Sequence, residues 1–445
     1  MLYYVKIKIN YYTSINQSVS NKFINLSDMR FEISKEQTNF ISKINDACKN
    51  IRNIETECYL HERFNENIIP EFGKIGMLGC PISKQYGGLG YDFLTYVMAL
   101  QKIGMEGGSL RTFFSAHISI GQLVLQNWAS IEQKKSFLPF TTKGESIMAF
   151  ALSEPLAGSD PSSLTSTIEK KDDYFLLNGI KHWIGNGTFA DVFTIYAKEK
   201  GNVDSNLNGK ISAFIIDKKN FPDFEIVEIK DKIGLLTVKN AQLNFKNYKI
   251  PKKNLIGLRG DGLHIAYTAL IDGRLSVAAG SIGVMEDCLT ESINHSKERV
   301  QHNSLLAKKQ LIQQHIVQIK VAIESSKWLV YKTALLRQKL HDFIESLKNE
   351  YSDWIYKISK ENKEYQKLKN EVDLFASMAK LNATNNAFDV SNRSIQIFGS
   401  FGYRKTSRVA RHFLDSRATT IYEGANEILE LKIASLLLGK EYKAY

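Results

Sequence analysis

The feature of this sequence that most constrains its fold is a change in hydrophobic period near Met148. Before it, apolar residues recur every three or four positions, as in amphipathic helices, and after it they alternate, as in strands. Strand-like segments continue as far as Pro251, and helical periodicity resumes from about Gly257 to the end of the chain. Besides the segment around Met148, the candidate strands are 174–177, 180–183, 191–197, 211–217, 224–229 and 241–250. We therefore predict an α+β fold, in which an N-terminal helical domain precedes a central antiparallel β domain and a C-terminal bundle of long helices.

Two local patterns add detail to this prediction. Asn178-Gly179, between two apolar segments, predicts a β-hairpin because both residues tolerate the positive φ angles of a tight turn. Ser130 and Gln133 have the spacing of a capping box, which predicts the start of a short helix.

Composition and charge exclude several classes of protein. With 43% hydrophobic and 24% charged residues, the 445-residue chain has the composition of a soluble globular protein, and its apolar runs are too short to cross a bilayer. Cys48, Cys58, Cys80 and Cys288 lack the spacing of a zinc site or a disulfide framework, so we expect no metal and a reducing, cytoplasmic location. The net charge of +11 is spread over helices without a basic run, which argues against a nucleic-acid partner.

Near the C-terminus, Glu423 stands between an Ile-Tyr pair and Gly424. Apolar neighbours would desolvate this acid and raise its pKa, which suits a general base, while the glycine lets another molecule approach the backbone. The alternative is that Glu423 only ends a loop before a helix opened by Asn426 and Glu427. The motif alone does not separate the two interpretations.

A second stretch, Phe150-Ala-Leu-Ser-Glu-Pro-Leu-Ala-Gly-Ser-Asp160, joins an apolar strand to a turn of small residues, whose backbone amides could hold a planar polar ligand. Together the two stretches resemble the acyl-CoA dehydrogenase family, flavoenzymes that desaturate acyl thioesters between the α and β carbons. The resemblance covers nearly all of the chain from about residue 30 onward, in the family's order. It continues through Lys181-His-Trp-Ile-Gly-Asn-Gly187, Arg299-Val-Gln301, Gln310 and Gln396-Ile-Phe-Gly-Ser-Phe-Gly-Tyr403.

The resemblance implies a helical domain at 29–147, a β domain at 148–256 and a second helical domain at 257–445. Residues 1–28 lie outside it, and we expect them to be disordered or to result from an upstream start codon. A heptad pattern marks an insertion at about 340–372, which we expect either to pack against a neighbouring subunit or to form a solvated arm. Its apolar residues are Ile344, Leu347, Tyr351, Trp354, Ile358, Tyr365, Leu368 and Val372.

The chemistry is also implied by the resemblance. FAD accepts a hydride from the β carbon, which no side chain can do, and Glu423 removes the α proton. The backbone amide of Glu423, with a flavin hydroxyl, would hold the thioester oxygen and stabilise the enolate. Some members carry the base on an earlier helix, immediately before an Arg-Leu pair, but that position here is Gly273. A glycine cannot abstract a proton, so Glu423 is the base that the sequence offers.

By the same resemblance, Phe150 to Ser153 contact the pyrimidine edge of the flavin and Trp183 covers its rings. Gly185 stands where the family commonly has Thr or Ser, which removes a hydrogen bond to flavin N5. Arg299 pairs with the pyrophosphate across a subunit interface, which implies a homodimer or homotetramer. The expected cofactor residues are Phe150, Leu152, Ser153, Ser159, Trp183, Gly185, Arg299, Gln310, Gln396, Gly399 and Asn426, and the expected substrate residues are Ser159, Arg274, Tyr422 and Gly424.

We expect the substrate to be an acyl-CoA and, by resemblance, the electron acceptor to be an electron-transfer flavoprotein. The alternative substrate is an acyl or aminoacyl group on an acidic carrier protein, which the positive net charge would attract. Leu236 and Val238 favour it, because they leave few polar groups in a stretch, 234–240, where the family usually has Arg or Lys and Ser. Two further classes are a flavin monooxygenase or oxidase of the same fold, against which Glu423 argues, and a flavin-free interaction protein.

Overall fold

The computed structural model describes residues 33–200, 206–347 and 359–442. Its helices and strands follow the predicted order, with helices before and after a central sheet, so the α+β fold is confirmed. The expected extension 1–28 lies outside the described residues.

The N-terminal helices follow from apolar stripes and caps. In the first helix, Phe40, Ile44 and Cys48 share one face and are buried, as their spacing predicts. The capping box is confirmed, since the amide of Gln133 donates to Ser130 Oγ at 3.2 Å and the amide of Ser130 donates to Gln133 Oε1 at 2.9 Å. The helices are α1 Lys35–Leu60, α2 Ile68–Lys74, α3 Phe93–Gly104, α4 Gly108–Phe114, α5 Leu123–Trp128 and α6 Ile131–Thr141.

A π-helix, Ser115–Gln122, joins α4 to α5. Within it, His117 is fully buried, and its Nδ1 accepts from the amide of Met148, where the sheet begins, at 3.1 Å. Burial lowers the pKa of His117 to about 4, which keeps this ring neutral. Wide helical turns of this kind are rare and often lie at functional sites. This one connects the N-terminal helices to the sheet.

An eight-stranded central sheet follows. Hydrogen bonds join seven of its strands in the order β6-β7-β3-β2-β4-β5-β8, and β1 pairs with β4. The pairings are antiparallel, as predicted, except that β1 and β2 run parallel to β4. Phe175, Phe193 and Phe214 belong to its buried apolar core. The strands are β1 Met148–Ala151, β2 Thr167–Lys170, β3 Tyr174–Ile184, β4 Val192–Glu199, β5 Ile211–Asp217, β6 Glu225–Glu228, β7 Ala241–Pro251 and β8 Leu255–Ile256.

The predicted hairpin at Asn178-Gly179 is wrong. Both residues lie inside β3, which continues past them, and its register with β7 shifts between Leu177 and Gly179. Gly179 has a φ of 140°, and a Cβ atom there would lie 2.2 Å from Ser166 Oγ, so the glycine permits a close approach of the chain before β2. Asn178 Oδ1 accepts from the amide of Asn247 at 2.7 Å. The pair therefore marks a bulge in a long strand.

The C-terminal helices are organised around α7, which is buried along most of its length and packs against α3, the π-helix and two other long helices. A helix with apolar residues on all sides is expected in such a central position. The helices are α7 Gly262–Glu298, α8 Gln310–Leu347, α9 Lys363–Phe398, α10 Arg408–Thr419 and α11 Asn426–Leu438, and the short strands β9 Val300–Gln301 and β10 Ser304–Leu305 pair between α7 and α8.

The heptad insertion lies only partly within the described residues, which leave out 348–358. Ile344 and Tyr365 line a small cavity together with Trp128 of α5, so they pack within the chain. Contact of the remaining insertion with a neighbouring subunit stays a prediction. The buried heptad residues are Ile344, Tyr365, Leu368 and Val372.

Candidate active site

Glu423 lies in the loop between α10 and α11, in the left-handed backbone conformation with a φ of 56°. A residue other than glycine in this conformation costs about 1–3 kcal/mol, so the surrounding structure must hold it. Two buried cations do so. Arg274 Nε of α7 donates to the carbonyl oxygen of Glu423 at 3.2 Å, and Lys380 Nζ of α9 donates to that of Gly424 at 2.8 Å. The loop that carries the acid is therefore fixed from two helices.

Further bonds of these cations explain two of the expected site residues. Arg274, expected to bind substrate, is buried, and its Nη1 donates to Asp373 Oδ1 at 3.0 Å. Asn426, expected to bind cofactor, is also buried; its Oδ1 accepts from Lys380 Nζ at 2.7 Å and its Nδ2 donates to Thr384 Oγ1 at 3.1 Å. Burial lowers the pKa of Lys380 to about 7, and nearby Glu423 opposes that shift. The structure thus places Arg274 and Asn426 in the support of the loop.

The carboxylate of Glu423 is the acid of the site. The residue as a whole is half-buried, but its Oε2 atom is fully buried and has no hydrogen-bond partner among the described residues. Burial raises its pKa from 4.5 to about 7, and the charges of Arg274, Arg111 and Lys380 oppose the shift in part. A carboxylate that titrates near neutral pH and has a free oxygen can accept a proton from a carbon acid placed against it.

Gly273 of α7 faces this carboxylate. A Cβ atom at Gly273 would lie 2.4 Å from Oε2 and 2.6 Å from Oε1 of Glu423, which is closer than packed atoms come. A side chain at the alternative base position of the sequence analysis and the Glu423 carboxylate would therefore compete for the same space. Because residue 273 is a glycine, the Glu423 carboxylate can occupy this space.

Arg111 of α4 is a site residue that the sequence analysis missed. Its side chain is buried, its charge is close enough to lower the pKa of Glu423, and its Nη2 donates to the hydroxyl of Tyr422. Gly280, two turns beyond Gly273 on α7, leaves room for it, because a Cβ atom there would lie 2.5 Å from Arg111 Cγ. The available signal was an arginine among the apolar residues of a buried helix, where charged residues are rare.

A second group of expected residues lies where β1 and β3 end. Phe150 and Leu152 are buried, and the amide of His182 donates to the carbonyl oxygen of Ser153 at 2.9 Å, which joins the two strand ends. Trp183 follows in the left-handed conformation, with a φ of 62°, and is 55% exposed. An exposed indole held in a strained backbone conformation offers a flat surface to a planar ligand.

A buried ion pair anchors the turn after β1. Lys181 Nζ donates to Glu154 Oε1 at 2.7 Å and to the carbonyl oxygen of Leu152 at 3.1 Å. Burial raises the pKa of Glu154, but the charge and hydrogen bond of Lys181, together with hydrogen bonds from Ser166 and Thr165, outweigh burial and lower that pKa to about 2. Beyond the pair, the turn that contains Ser159 is exposed.

The remaining expected cofactor residues lie on the long C-terminal helices and at their ends, and all four are exposed. The guanidinium of Arg299 lies 5.9 Å from the ring of Phe401. Gly399 has a φ of 60°, and no other described residue comes within 4 Å of the place where a Cβ atom would stand, so its backbone is open to a ligand. The four residues are Arg299, Gln310, Gln396 and Gly399.

Comparison with known proteins identifies the family of the chain. Family models for the N-terminal, middle and C-terminal domains of acyl-CoA dehydrogenase match residues 34–145, 149–248 and 260–438. The chain belongs to the acyl-CoA dehydrogenase family. Membership confirms the expected flavin oxidoreductase, which acts on CH–CH groups, and its cofactor, FAD.

Individual members of the acyl-CoA dehydrogenase family match over almost their whole length. The short-chain-specific acyl-CoA dehydrogenase of Clostridium acetobutylicum is 33% identical over 410 residues, which are 91% of this chain and 99% of that one. The structure of butyryl-CoA dehydrogenase from Megasphaera elsdenii has a TM-score of 0.81 at 30% identity and covers 92% of this chain and 100% of its own. A prolyl acyl carrier protein oxidase has a TM-score of 0.79 at 28% identity, with coverage of 91% and 100%.

The two strand ends fit FAD, because Trp183 offers a flat face and the neighbouring backbone is not crowded. Two residues on, a Cβ atom at Gly185 would have a single neighbour within 4 Å among the described residues, the Cβ of Ala116 at 3.7 Å. The Thr or Ser that acyl-CoA dehydrogenases commonly have here would therefore fit. Asn186 is buried, and its Nδ2 donates at 3.2 Å to the carbonyl oxygens of Phe113 and Met148. Those bonds tie the end of β3 to α4 and β1.

The described residues include no helix long and apolar enough to span a membrane. They also include no group of three or more His, Cys, Asp or Glu side chains placed to hold a metal. The four cysteines are unpaired and buried.

Proposed function

We propose that this enzyme removes hydrogen from the α and β carbons of an acyl thioester, with Glu423 as the base that takes the α proton. The observation that carries the proposal is the Glu423 carboxylate, whose buried Oε2 has no partner in the part of the chain that the structure describes and whose pKa is raised by burial to about 7. FAD, when bound, supplies the hydride acceptor for the β carbon. The residues of the chain supply position and charge.

Each neighbour of Glu423 has a distinct task in this proposal. Arg274 and Lys380 hold the loop through its carbonyl oxygens, so the carboxylate keeps its orientation while substrate enters. The backbone amide of Glu423 donates to the thioester oxygen, as the family resemblance implies. The positive charges of Arg111, Arg274 and Lys380 favour the negative charge that develops on the enolate.

The other site residues are proposed on the family resemblance. Phe150, Leu152, Ser153, Trp183 and Gly185 face the flavin rings, while Arg299, Gln310, Gln396 and Gly399 bind its pyrophosphate and adenine half. Ser159, Tyr422 and Gly424 contact substrate. We assign Arg274 and Asn426 to the support of the Glu423 loop instead. The domain boundaries at 148 and 257 also remain proposals.

Acyl-CoA is the favoured substrate. The sequence argument for a carrier protein rested on Leu236 and Val238, but both are buried, and the amide of Leu235 donates to Asp415 Oδ1 at 2.6 Å. Their apolar character is therefore explained by packing. The likeness to a prolyl acyl carrier protein oxidase keeps an acyl or aminoacyl carrier protein as the second candidate. Steady-state rates with one acyl group on both carriers decide between them; a large preference for the carrier protein would reverse our choice.

We propose a homodimer or homotetramer that passes electrons to an electron-transfer flavoprotein. Support for association comes from the exposed positions Arg299 and Gln310, and from Val317, Val321 and Trp328 of α8, which are 60%, 63% and 54% exposed. Apolar side chains exposed along one helix commonly mark an interface. Light scattering after size exclusion tests this, and a monomer with full flavin content would contradict it.

The main experiment is anaerobic titration of the FAD-loaded protein with a panel of acyl thioesters. Loss of the oxidised flavin absorbance with at least one thioester is expected, because the hydride ends on the flavin. Glu423→Gln is expected to bind FAD and leave the flavin oxidised. If Glu423→Gln is reduced at nearly the wild-type rate, Glu423 is not the base. If purified protein contains no flavin at all, the interaction-protein alternative gains.

A further inference from the structure

Arg111 is a buried cation with an unused donor. It is 1% exposed, and its Nη2 donates to the hydroxyl of Tyr422, but Nη1 is fully buried and has no hydrogen-bond partner among the described residues. An unsatisfied nitrogen on a buried guanidinium is costly, and such groups are rare unless a ligand completes them. Arg111 therefore has the character of a binding group as well as a support for Tyr422.

Two serines near Arg111 share this property. Ser115, one turn further along the same helical run, and Ser276 of α7 are both buried, and within the described part of the chain neither Oγ has a partner. The π-helix that begins at Ser115 packs against α7. Residues four apart on a helix lie on one face, so Ser115 and Arg111 point to the same side.

On α7, Ser276 lies between Gly273, which faces the Glu423 carboxylate, and Gly280, which faces Arg111. The face of α7 that carries Gly273, Ser276 and Gly280 thus leads from the base to the guanidinium. Within the described residues, polar atoms without a hydrogen-bond partner lie at both ends of this face and between them.

We propose that Arg111 binds a carboxylate at the far end of the acyl group, so that the substrates are monothioesters of short dicarboxylic acids. The inference rests on the proposed function, since it places the α carbon at Glu423 and the rest of the acyl chain along the face of α7 toward Arg111. A carboxylate accepts two parallel bonds from a guanidinium, and hydroxyls such as those of Ser115 and Tyr422 can donate to it as well.

Other acyl ends match these groups less well. A methyl end would leave Arg111 Nη1 unpaired and desolvated by an apolar chain. A protonated amine, as on an aminoacyl group, would meet the positive charges of Arg111, Arg274 and Lys380, of which Arg274 already pairs with Asp373. A carboxylate would pair with Arg111, which has no carboxylate partner among the described residues.

The test compares pairs of coenzyme A thioesters of equal chain length, one ending in a carboxylate and one in a methyl group. The FAD-loaded wild-type enzyme is expected to have the higher kcat/KM for the carboxylate-ended member of at least one pair. Arg111→Gln is expected to lower the ratio of the two kcat/KM values on the order of 100-fold, because it removes the partner of a buried charge. Arg111→Lys keeps the charge without the planar fork and should lower the ratio less. Ser115→Ala, a small change, should also lower the ratio of the two kcat/KM values.

The outcomes separate this inference from the proposed function. A wild-type preference for methyl-ended thioesters overturns the carboxylate but leaves desaturation intact. Equal losses for both members of a pair in Arg111→Gln and Arg111→Lys overturn the carboxylate site and limit Arg111 to supporting Tyr422 and favouring the enolate charge. If no thioester reduces the flavin, the proposed function fails. In that case, the carboxylate site is tested independently by the binding of an unreactive thioether analogue that ends in a carboxylate, measured through the change it causes in the flavin spectrum. Equal affinity for the methyl-ended analogue would overturn the carboxylate site.

Discussion

Replacing Glu423 by Gln is expected to stabilise the folded protein while it abolishes desaturation. The native pKa of about 7 lies above the ordinary value of 4.5, so between these values the native state binds more protons than the unfolded chain. Stability contributed by Glu423 is therefore fully present below pH 4.5 and is lost as the pH rises through 7. Glutamine keeps the shape of the side chain and does not ionise, so it escapes this loss.

The expected size follows from the two pKa values. Each unit of difference corresponds to about 1.4 kcal/mol, so the ionisable side chain costs about 3 kcal/mol at pH 7 and about 1 kcal/mol at pH 5. An unfolding entropy of about 2.1 cal/mol/K per residue converts these to a rise in Tm of about 3 °C at pH 7 and about 1 °C at pH 5. The dependence on pH distinguishes this effect from a general change in packing.

The assay is calorimetric unfolding of FAD-loaded wild type and Glu423→Gln from pH 5 to pH 8. Other buried acids, such as Glu55, whose pKa burial also raises to about 7, are present in both proteins and cancel in the difference. Glu430→Gln, an exposed change on α11, serves as the matched control and should show no such trend. A Tm difference that stays constant with pH, or a variant less stable than wild type at pH 8, would refute the reasoning.

Three further changes test the surroundings of the site. Gly273→Ala puts a Cβ atom 2.4 Å from Glu423 Oε2, so we expect the free energy of unfolding, measured in urea, to fall by about 1–3 kcal/mol and kcat to decrease. Wild-type values of both quantities would contradict this close packing. Lys181→Met leaves buried Glu154 without its ion-pair partner, which should lower the free energy of unfolding by about 3–5 kcal/mol. Adding Glu154→Gln to the same chain should restore part of that free energy, and no restoration would contradict the prediction. Gly185→Ser has room for its side chain, so urea unfolding should change by no more than about 0.5 kcal/mol, while the flavin reduction potential shifts if the hydroxyl reaches the flavin.

Local patterns predicted most of the fold. The capping box at Ser130 and the strand at 211–217 depend on neighbours in sequence, and both were correct. The hairpin failed because Asn178-Gly179 satisfies a local rule that a distant contact overrides, since Gly179 is needed where Ser166 approaches β3. The parallel pairings of β1 and β2 with β4 were also missed, because strand direction depends on the path of the chain between strands.

The site was predictable where its residues form a contiguous motif. Glu423 was proposed as the base from its immediate neighbours together with the family resemblance, and burial shifts its pKa in the expected direction. Arg274 and Asn426 were placed in the right region, but their hydrogen bonds to the loop and to Lys380 join separate helices. Arg111 was overlooked because its partner Tyr422 lies far away in sequence. Spacing within one helix does not contain that information.

Gly273 and Gly280 show which contacts between distant parts of the chain the sequence pattern does not reveal. They are two turns apart on α7 and so share a face, and small residues on one face of a buried helix ordinarily indicate a close helix contact. Here that face admits the carboxylate of Glu423 and the side chain of Arg111, and Gly280 also contacts Gly104 of α3, where a Cβ atom would lie 2.3 Å from the carbonyl oxygen of Gly280. Two charges that are buried near each other cost less when their signs are opposite, and a carboxylate-ended substrate would join the cation while Glu423 takes up its proton. A side chain added at either glycine therefore disturbs this charge arrangement in addition to the packing, so activity should respond to it more strongly than stability does.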